Sequence, residues 1–251
     1  MLAVERRNRI EQIINKNKSV LVVELAKQFE VTTETIRGDL EKLEKQGVLV
    51  RTYGGATLVD NSEIELAITE RDTVNYEGKQ RIGKYAADLI KDGETIFLDA
   101  STSAWHLARY IKGKRGITVI TNAEKIVNEL SMCDHIHVIV FSRNMSYIGR
   151  VAEKTIKENY YANKCFFSCR GVTLGRGLVD SSEGEAEIKK AMLSCSESAI
   201  FLCDKNKIGK IGVPRISGLD GIDCFITDAQ LTDEWQVALA EQDVKLVEVE
   251  K

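Results

Sequence analysis

TTETIRGDLEKLEKQGVLVRTYGGA, residues 32–56, changes periodicity once, at Gly47, and that change decides the architecture of the first part of the chain. Thr32 is a helix N-cap residue, Glu34 suits the positive end of the helix dipole, and Thr35 stands where a capping side chain reaches back. Ile36, Leu40 and Leu43 recur at helical spacing on one side, which leaves Thr33, Thr35, Arg37, Gly38 and Glu41 facing outward. Gly47 fits the C′ position that ends such a helix. Beyond it, VLVRTY is rich in β-formers and runs into Gly54-Gly55, which predicts a short hairpin beside the helix.

Upstream, residues 21–29 supply an apolar-periodic helix through Val22, Leu25, Ala26 and Phe29, joined to the next by Glu30-Val31-Thr32. Residues 5–15 add a first helix with Ile10, Ile13 and Ile14 turned inward. Two helices around a turn, the second followed by a hairpin, make a winged helix-turn-helix. The outward residues Thr33, Thr35, Arg37 and Gly38, with Arg51 and Tyr53 of the wing, are then the candidate DNA contacts. ELAKQFEVTTETIRGDLEKLEKQG and RTYGGA resemble the N-terminal signature of the DeoR family of bacterial transcriptional regulators. Two positions depart from it. Leu21 stands at a helix cap where the family carries a hydroxyl or an acid, and Gly38 stands where it carries a basic residue. Glycine in a helix interior costs about 1 kcal/mol relative to alanine, so DNA affinity leans on Arg37, Arg51 and Tyr53. A winged helix serving only protein contacts is the competing reading.

The chain has 251 residues and a net charge of −3. That length suits a winged helix plus one α/β domain, and the charge argues against a generally basic nucleic-acid binder. The balance is uneven: up to Gly55 there are ten Lys/Arg against eight Asp/Glu, and beyond it 25 against 30. Six cysteines, Cys133, Cys165, Cys169, Cys195, Cys203 and Cys224, lie in or beside apolar runs without a close C-x-x-C pair. Reduced, buried thiols in a cytoplasmic protein are the expectation, with no metal site and no cofactor. Cys165 and Cys169 are expected in one strand. No signal peptide and no apolar run long enough to span a bilayer is found.

The expected organisation is a winged helix-turn-helix over residues 1–57, a polar, acidic linker over 58–78 carrying at most one short helix, and an α/β domain over 79–251. In the last, helices at 79–91, 103–111, 123–131, 151–159, 183–196 and 232–242 alternate with strands at 95–99, 117–120, 135–141, 165–169, 199–203, 224–227 and 245–249. TIFLD, ITVIT, IHVIVF and AIFLCD are nearly continuous apolar runs, which predicts a mostly parallel sheet covered on both faces. This is an open, doubly wound α/β domain.

Ligands of such sheets bind at the carboxyl ends of the strands. The residues there are Asp99 with the hydroxyl turn Ser101-Thr102-Ser103, Thr121-Asn122, Arg170-Gly171, Glu183, Glu185 and Lys189, and Asp204 with Lys207. A helix start with free N–H groups suits an anion, and hydroxyls, an amide, carboxylates and lysines on one rim suit a phosphorylated polyol. Each has a bland alternative: Asp99 and Asp204 as helix or turn caps, Asn122 as a turn former, Lys189 and Lys207 as solvated surface, Glu185 as a dipole partner. His106, His135, His137, Trp105 and Trp235 read as structural.

This half also resembles the family's C-terminal sensor domain, which shares its fold with ribose-5-phosphate isomerase and glucosamine-6-phosphate deaminase. The resemblance implies a sugar-phosphate effector held by Asp99, Thr102, Thr121, Asn122, Gly171, Glu185, Lys189, Asp204 and Lys207. Ser101 replaces the family's glycine in the first loop, and Ser142-Arg143 its Gly-Gly after the third strand. The resulting expectation is a homo-oligomeric repressor, released from a double-stranded DNA operator by a phosphorylated sugar or related metabolite. The competing class is an isomerase or deaminase using Asp99, Glu185 and Lys207 as acid/base groups, a reading that fold supports only by analogy.

Overall fold

In a computed structural model of the chain, the described residues are 19–45, 49–52, 54–58, 68–141 and 149–250, with Arg6, Arg7, Arg9, Ile10, Ile13 and Ile14. They belong to two compact units, Met1–Glu65 and Leu66–Lys251.

In the first unit, β1 (Ser19–Leu21) leads into α1 (Val22–Phe29), then α2 (Thr33–Lys45), β2 (Leu49–Thr52) and β3 (Gly55–Leu58). The expected faces hold: Ile10, Ile14, Val22, Leu25, Ala26, Ile36, Leu40 and Leu43 form one buried cluster with Val20, Leu49 and Ala56. Thr32 Oγ1 accepts from the Thr35 amide at 3.2 Å, and Leu21 gives α1 no side-chain cap. β2 and β3 pair antiparallel as the wing, with Thr52 opposite Gly55. Gly55 is therefore a paired strand residue rather than a turn residue, and Gly54 has the positive φ, 83°. Gly55 has another task. β3 also pairs with β1, which the sequence does not announce, and a Cβ at Gly55 would lie 2.2 Å from the Val20 carbonyl. Gly47 lies outside the described residues.

The second unit starts inside the expected linker, with α3 (Ile68–Thr73) and α4 (Tyr76–Asp88). Its sheet has seven parallel strands in the order β13-β12-β10-β7-β4-β5-β6. These are β4 (Thr95–Leu98), β5 (Thr118–Thr121), β6 (His137–Val140), β7 (Ala162–Phe167), β10 (Ser196–Cys203), β12 (Cys224–Thr227) and β13 (Lys245–Glu248). Side-chain alternation gives each face its own core: Phe97, Phe167, Phe201 and Phe225 enter one cluster, and Ile96, Leu98, Phe166, Ile200, Leu202 and Ile226 the other. Helices α4, α5 (Thr102–Tyr110) and α6 (Glu124–Leu130) cover the second face, while α7 (Arg150–Asn159), α8 (Glu183–Ser194) and α9 (Asp233–Ala240) cover the first.

From β4 the chain steps outward to β5 and β6, then returns to place β7 on β4's other side. The strand order thus reverses between β4 and β7, the switch point at which open α/β sheets bind ligands. A second sheet of three antiparallel strands, β8 (Gly171–Thr173), β9 (Gly177–Val179) and β11 (Arg215–Ser217), is absent from the sequence reading. Cys165 lies in β7 but Cys169 lies beyond its end, where its thiol donates to the Gly171 carbonyl at 3.1 Å. All six cysteines are free, and burial pushes the Cys169 thiol up to about 12. Among the described residues no helix is long and apolar enough to cross a membrane.

Candidate functional site

Two surfaces carry the residues selected from the sequence. On the first unit, α2 exposes Arg37 and half-exposes Thr33, Thr35 and Gly38. Arg37 Nη1 donates to Glu34 Oε1 at 2.7 Å, and Arg51 Nε to Glu44 Oε2 at 2.7 Å. The Arg51 amide also donates to Glu44, which ties the wing to α2. Hydrogen bonds from Thr33 and from Arg51 hold the Glu34 and Glu44 carboxyls, respectively, below the usual range. Both arginines thus have an exchangeable carboxylate partner on a solvated face. Gly38 has no atom within 4 Å of where a Cβ would stand, so the helix does not require glycine there. Tyr53 lies outside the described residues.

Inward on the same helix, Asp39 is 4% exposed and accepts from Arg6 Nε at 2.5 Å and Arg7 Nη1 at 3.3 Å. Sequence reading missed this pair. An acid on a helix face gives no signal of a partner more than thirty positions away.

On the second unit, Asp99 follows β4 at the switch point and is 1% exposed. Its Oδ1 accepts from Ser101 Oγ at 2.6 Å and its Oδ2 from the Ser168 amide, beyond β7, at 3.2 Å. Ser101 Oγ also accepts from the Ala104 amide at 3.1 Å and so caps α5. Lys189 of α8 is 4% exposed and lies 2.8 Å from Asp180, 3.1 Å from Glu185 and 3.6 Å from Asp99. Burial works against the ammonium, but Asp180, Asp99 and Glu185 outweigh it and hold its pKa above that of a free lysine. Burial also raises the Asp99 carboxyl, against the pull of Lys189. Asp180, which completes this cluster, directly follows β9 and was not selected from the sequence.

A cavity of about 410 Å³ opens at this edge, lined in part by Ser101, Thr102, Asn122 and Glu185. Thr102, Asn122 and Glu185 of the expected effector contacts therefore line it together with Ser101 of the hydroxyl turn, and Lys189 contacts both Glu185 and Asp99. Thr121 is buried, its Oγ1 accepting from the Ala123 amide at 3.1 Å. Gly171 and Lys207 do not line the cavity. The small size of Gly171 serves the fold, since a Cβ there would lie 2.3 Å from the Lys210 carbonyl. Nor is Lys207 a free surface ammonium. It donates to the Cys169 carbonyl at 2.6 Å and lies 3.8 Å from Asp204. Ser142-Arg143 lies outside the described residues.

The rest of the lining comes from helices. Trp105, read as packing, faces the cavity together with Lys125, whose ammonium stands 3.5 Å from the indole centroid. Trp235 does pack, against Phe225 at 6.1 Å between ring centroids. His106 is buried between Tyr76 and Trp105, with Nε2 3.2 Å from Asp72 Oδ1. Burial pushes its imidazole down to about 4, against the pull of Asp72. Because the folded pKa lies below the unfolded value of 6.5, the unfolded chain binds more protons between them. The His106 contribution to stability is thus present above pH 6.5 and is lost as pH falls toward 4. NMR titration of the ring is expected to give a midpoint near 4, and one near 6.5 would refute this.

Comparison with known proteins agrees with both halves. Residues 6–62 match the DeoR-like helix-turn-helix domain, and residues 74–229 the DeoR C terminal sensor domain. The uncharacterized HTH-type transcriptional regulator YulB of Bacillus subtilis is 39% identical, over 99% of this chain and 98% of its own length. The L-fucose operon activator of Haemophilus influenzae is 30% identical, over 95% of this chain and 97% of its own. Among solved structures, ribose 5-phosphate isomerase A of Methanocaldococcus jannaschii is 17% identical, covering 54% of this chain and 56% of that one, with a TM-score of 0.41. With both domains matched in order and relatives aligned nearly end to end, the chain belongs to the DeoR family of HTH-type transcriptional regulators, DNA-binding proteins rather than enzymes.

Proposed function

We propose that this regulator represses a carbohydrate-metabolism operon in the cytoplasm and leaves its operator when a phosphorylated sugar occupies the cavity at the carboxyl edge of its sheet. The observation that carries this reading is the lining itself: two hydroxyls, two amides, two carboxylates and an ammonium share one cavity with an indole. Hydroxyl, amide and carboxylate groups suit a polyol, and the ammonium suits its phosphate. The name of the L-fucose operon activator, a relative matched along nearly its whole length, points to the same metabolism. One winged helix reads one half-site, so the protein acts as a homo-oligomer on paired or repeated sites.

The test is binding of the purified protein to DNA upstream of its own gene, with and without a panel of phosphosugars. Release by one phosphosugar, saturable and without turnover, is the expected result. Retention on DNA whatever the sugar would remove the effector, and conversion of the sugar would return the isomerase reading.

Thr33, Thr35, Arg37, Gly38, Arg51 and Tyr53 form the proposed DNA face. If Arg37 reads a base edge, Arg37→Ala weakens specific binding by about 1–3 kcal/mol and random-sequence binding by less. Equal losses on both would make it a phosphate contact. Gly38→Arg meets no steric obstacle, gains helix propensity, and is expected to raise affinity and steepen its salt dependence by about one phosphate contact. A salt slope unchanged from wild type would place residue 38 away from DNA.

A further inference from the structure

We propose that Lys125 is the anion anchor of the carboxyl-edge cavity and that Asp72 competes with the ligand for it, so that a bound anion loosens α3. This rests on the sensor reading above and adds to it the residue that takes the charge and the segment that responds. Lys125 and Trp105 both line the cavity. The indole face positions the ammonium without using its N–H donors, and one donor meets Asp72 Oδ2 at 3.0 Å. An ammonium has three. Other lysines of the rim are engaged elsewhere: Lys189 among three carboxylates, Lys207 on the Cys169 carbonyl. Among the residues described as lining the cavity, Lys125 is the one with positive charge.

Asp72 joins this site to α3. Its other oxygen faces His106, which burial keeps neutral near pH 7, so its charged hydrogen-bond partner is Lys125. The two side chains are 35% and 19% exposed, open enough for partner exchange. A phosphate brings nearly twice the charge of a carboxylate and three acceptor oxygens, and it draws the ammonium away from Asp72. α3 has six residues, too few to stay helical without tertiary anchors. Another anchor among the described residues is the buried Lys79 ammonium, which donates to the Arg71 and Val74 carbonyls across the turn into α4. α3 opens the second unit, so its loosening acts on the segment through which the chain continues back to the DNA-binding unit.

Inorganic phosphate and glucose 6-phosphate are titrated calorimetrically into the full-length protein, and hydrogen exchange of residues 68–73 is followed in parallel. Both probes are expected to bind the wild type and to speed exchange in that segment. Lys125→Met weakens both by about tenfold or more. Asp72→Asn, which removes the competitor and keeps the side-chain shape, tightens both several-fold and exchanges fast in that segment without any probe. Undiminished binding by Lys125→Met, or weaker binding by Asp72→Asn, overturns the anchor and leaves the sensor reading standing. A wild type that binds neither probe also overturns the anchor, and the sensor reading is then decided by the phosphosugar panel on operator DNA.

Discussion

Asp39→Ala is expected to cost the DNA-binding unit about 3–5 kcal/mol, the loss typical of removing one partner from a buried ion pair. The variant leaves Arg6, 8% exposed, without its carboxylate, and it releases Arg7 as well. Native domains are stable by about 5–15 kcal/mol in all, and small ones lie at the low end. The unit would therefore be substantially unfolded at growth temperature. Operator binding should vanish while the second unit melts as before, since Asp39 belongs to the first compact unit. Thermal melting followed at both units separates the two effects. An Asp39→Ala protein whose first unit melts within a degree or so of wild type would show that the pair contributes nothing. Asp39→Asn keeps the shape and removes the charge, so it tells packing from electrostatics.

Lys189→Met is expected to have a comparable effect on the second unit. The methionine fills nearly the same volume, but Asp99 and Asp180 remain buried without the ammonium that compensates them. The loss is about 3–5 kcal/mol at neutral pH, and its pH dependence identifies the cause. Without Lys189 the Asp99 carboxyl, which burial already raises in the folded state, rises further above its unfolded value. The folded state then binds more protons than the unfolded one between the two, and stability rises as pH falls. Urea melts at about pH 7.5 and about pH 5.5 should show the gap from wild type narrowing at the lower value. A gap independent of pH would assign the loss to packing alone. The variant also separates scaffold from ligand contact, because Lys189 does not line the cavity.

Element type was largely legible wherever the signal is local. α2 shows its buried face through Ile36, Leu40 and Leu43, and the wing shows itself through β-formers and a glycine turn, because helix and hairpin are decided by residues a few positions apart. The strands of the large sheet were legible as apolar runs because helices cover both its faces. β1, β8, β9 and β11 were not. Each is three residues long, too short for any period to register, and exists because a distant partner supplies its hydrogen bonds.

The candidate site divides along the same line. Ser101, Thr102, Asn122 and Glu185 could be placed at the cavity because residues just after a parallel strand, or opening the helix beyond it, reach the carboxyl edge of the sheet whatever the strand order. Sequence by itself thus determined a winged helix-turn-helix, a parallel α/β domain, the family they make together and the sheet edge at which the cavity opens. Only the tertiary structure decided which charges act there. The return of β7 to the side of β4 sets Asp99 against Ser168 and Lys189, the short antiparallel sheet delivers Asp180, and packing of α3, α5 and α6 brings Asp72, His106, Trp105 and Lys125 together. Burial then leaves Lys189 locked among carboxylates and Lys207 held by a carbonyl, while Lys125 keeps a solvent-facing side. Whether a lysine can take a ligand depends on which acceptors already surround it, and those come from strands and helices far apart in the chain.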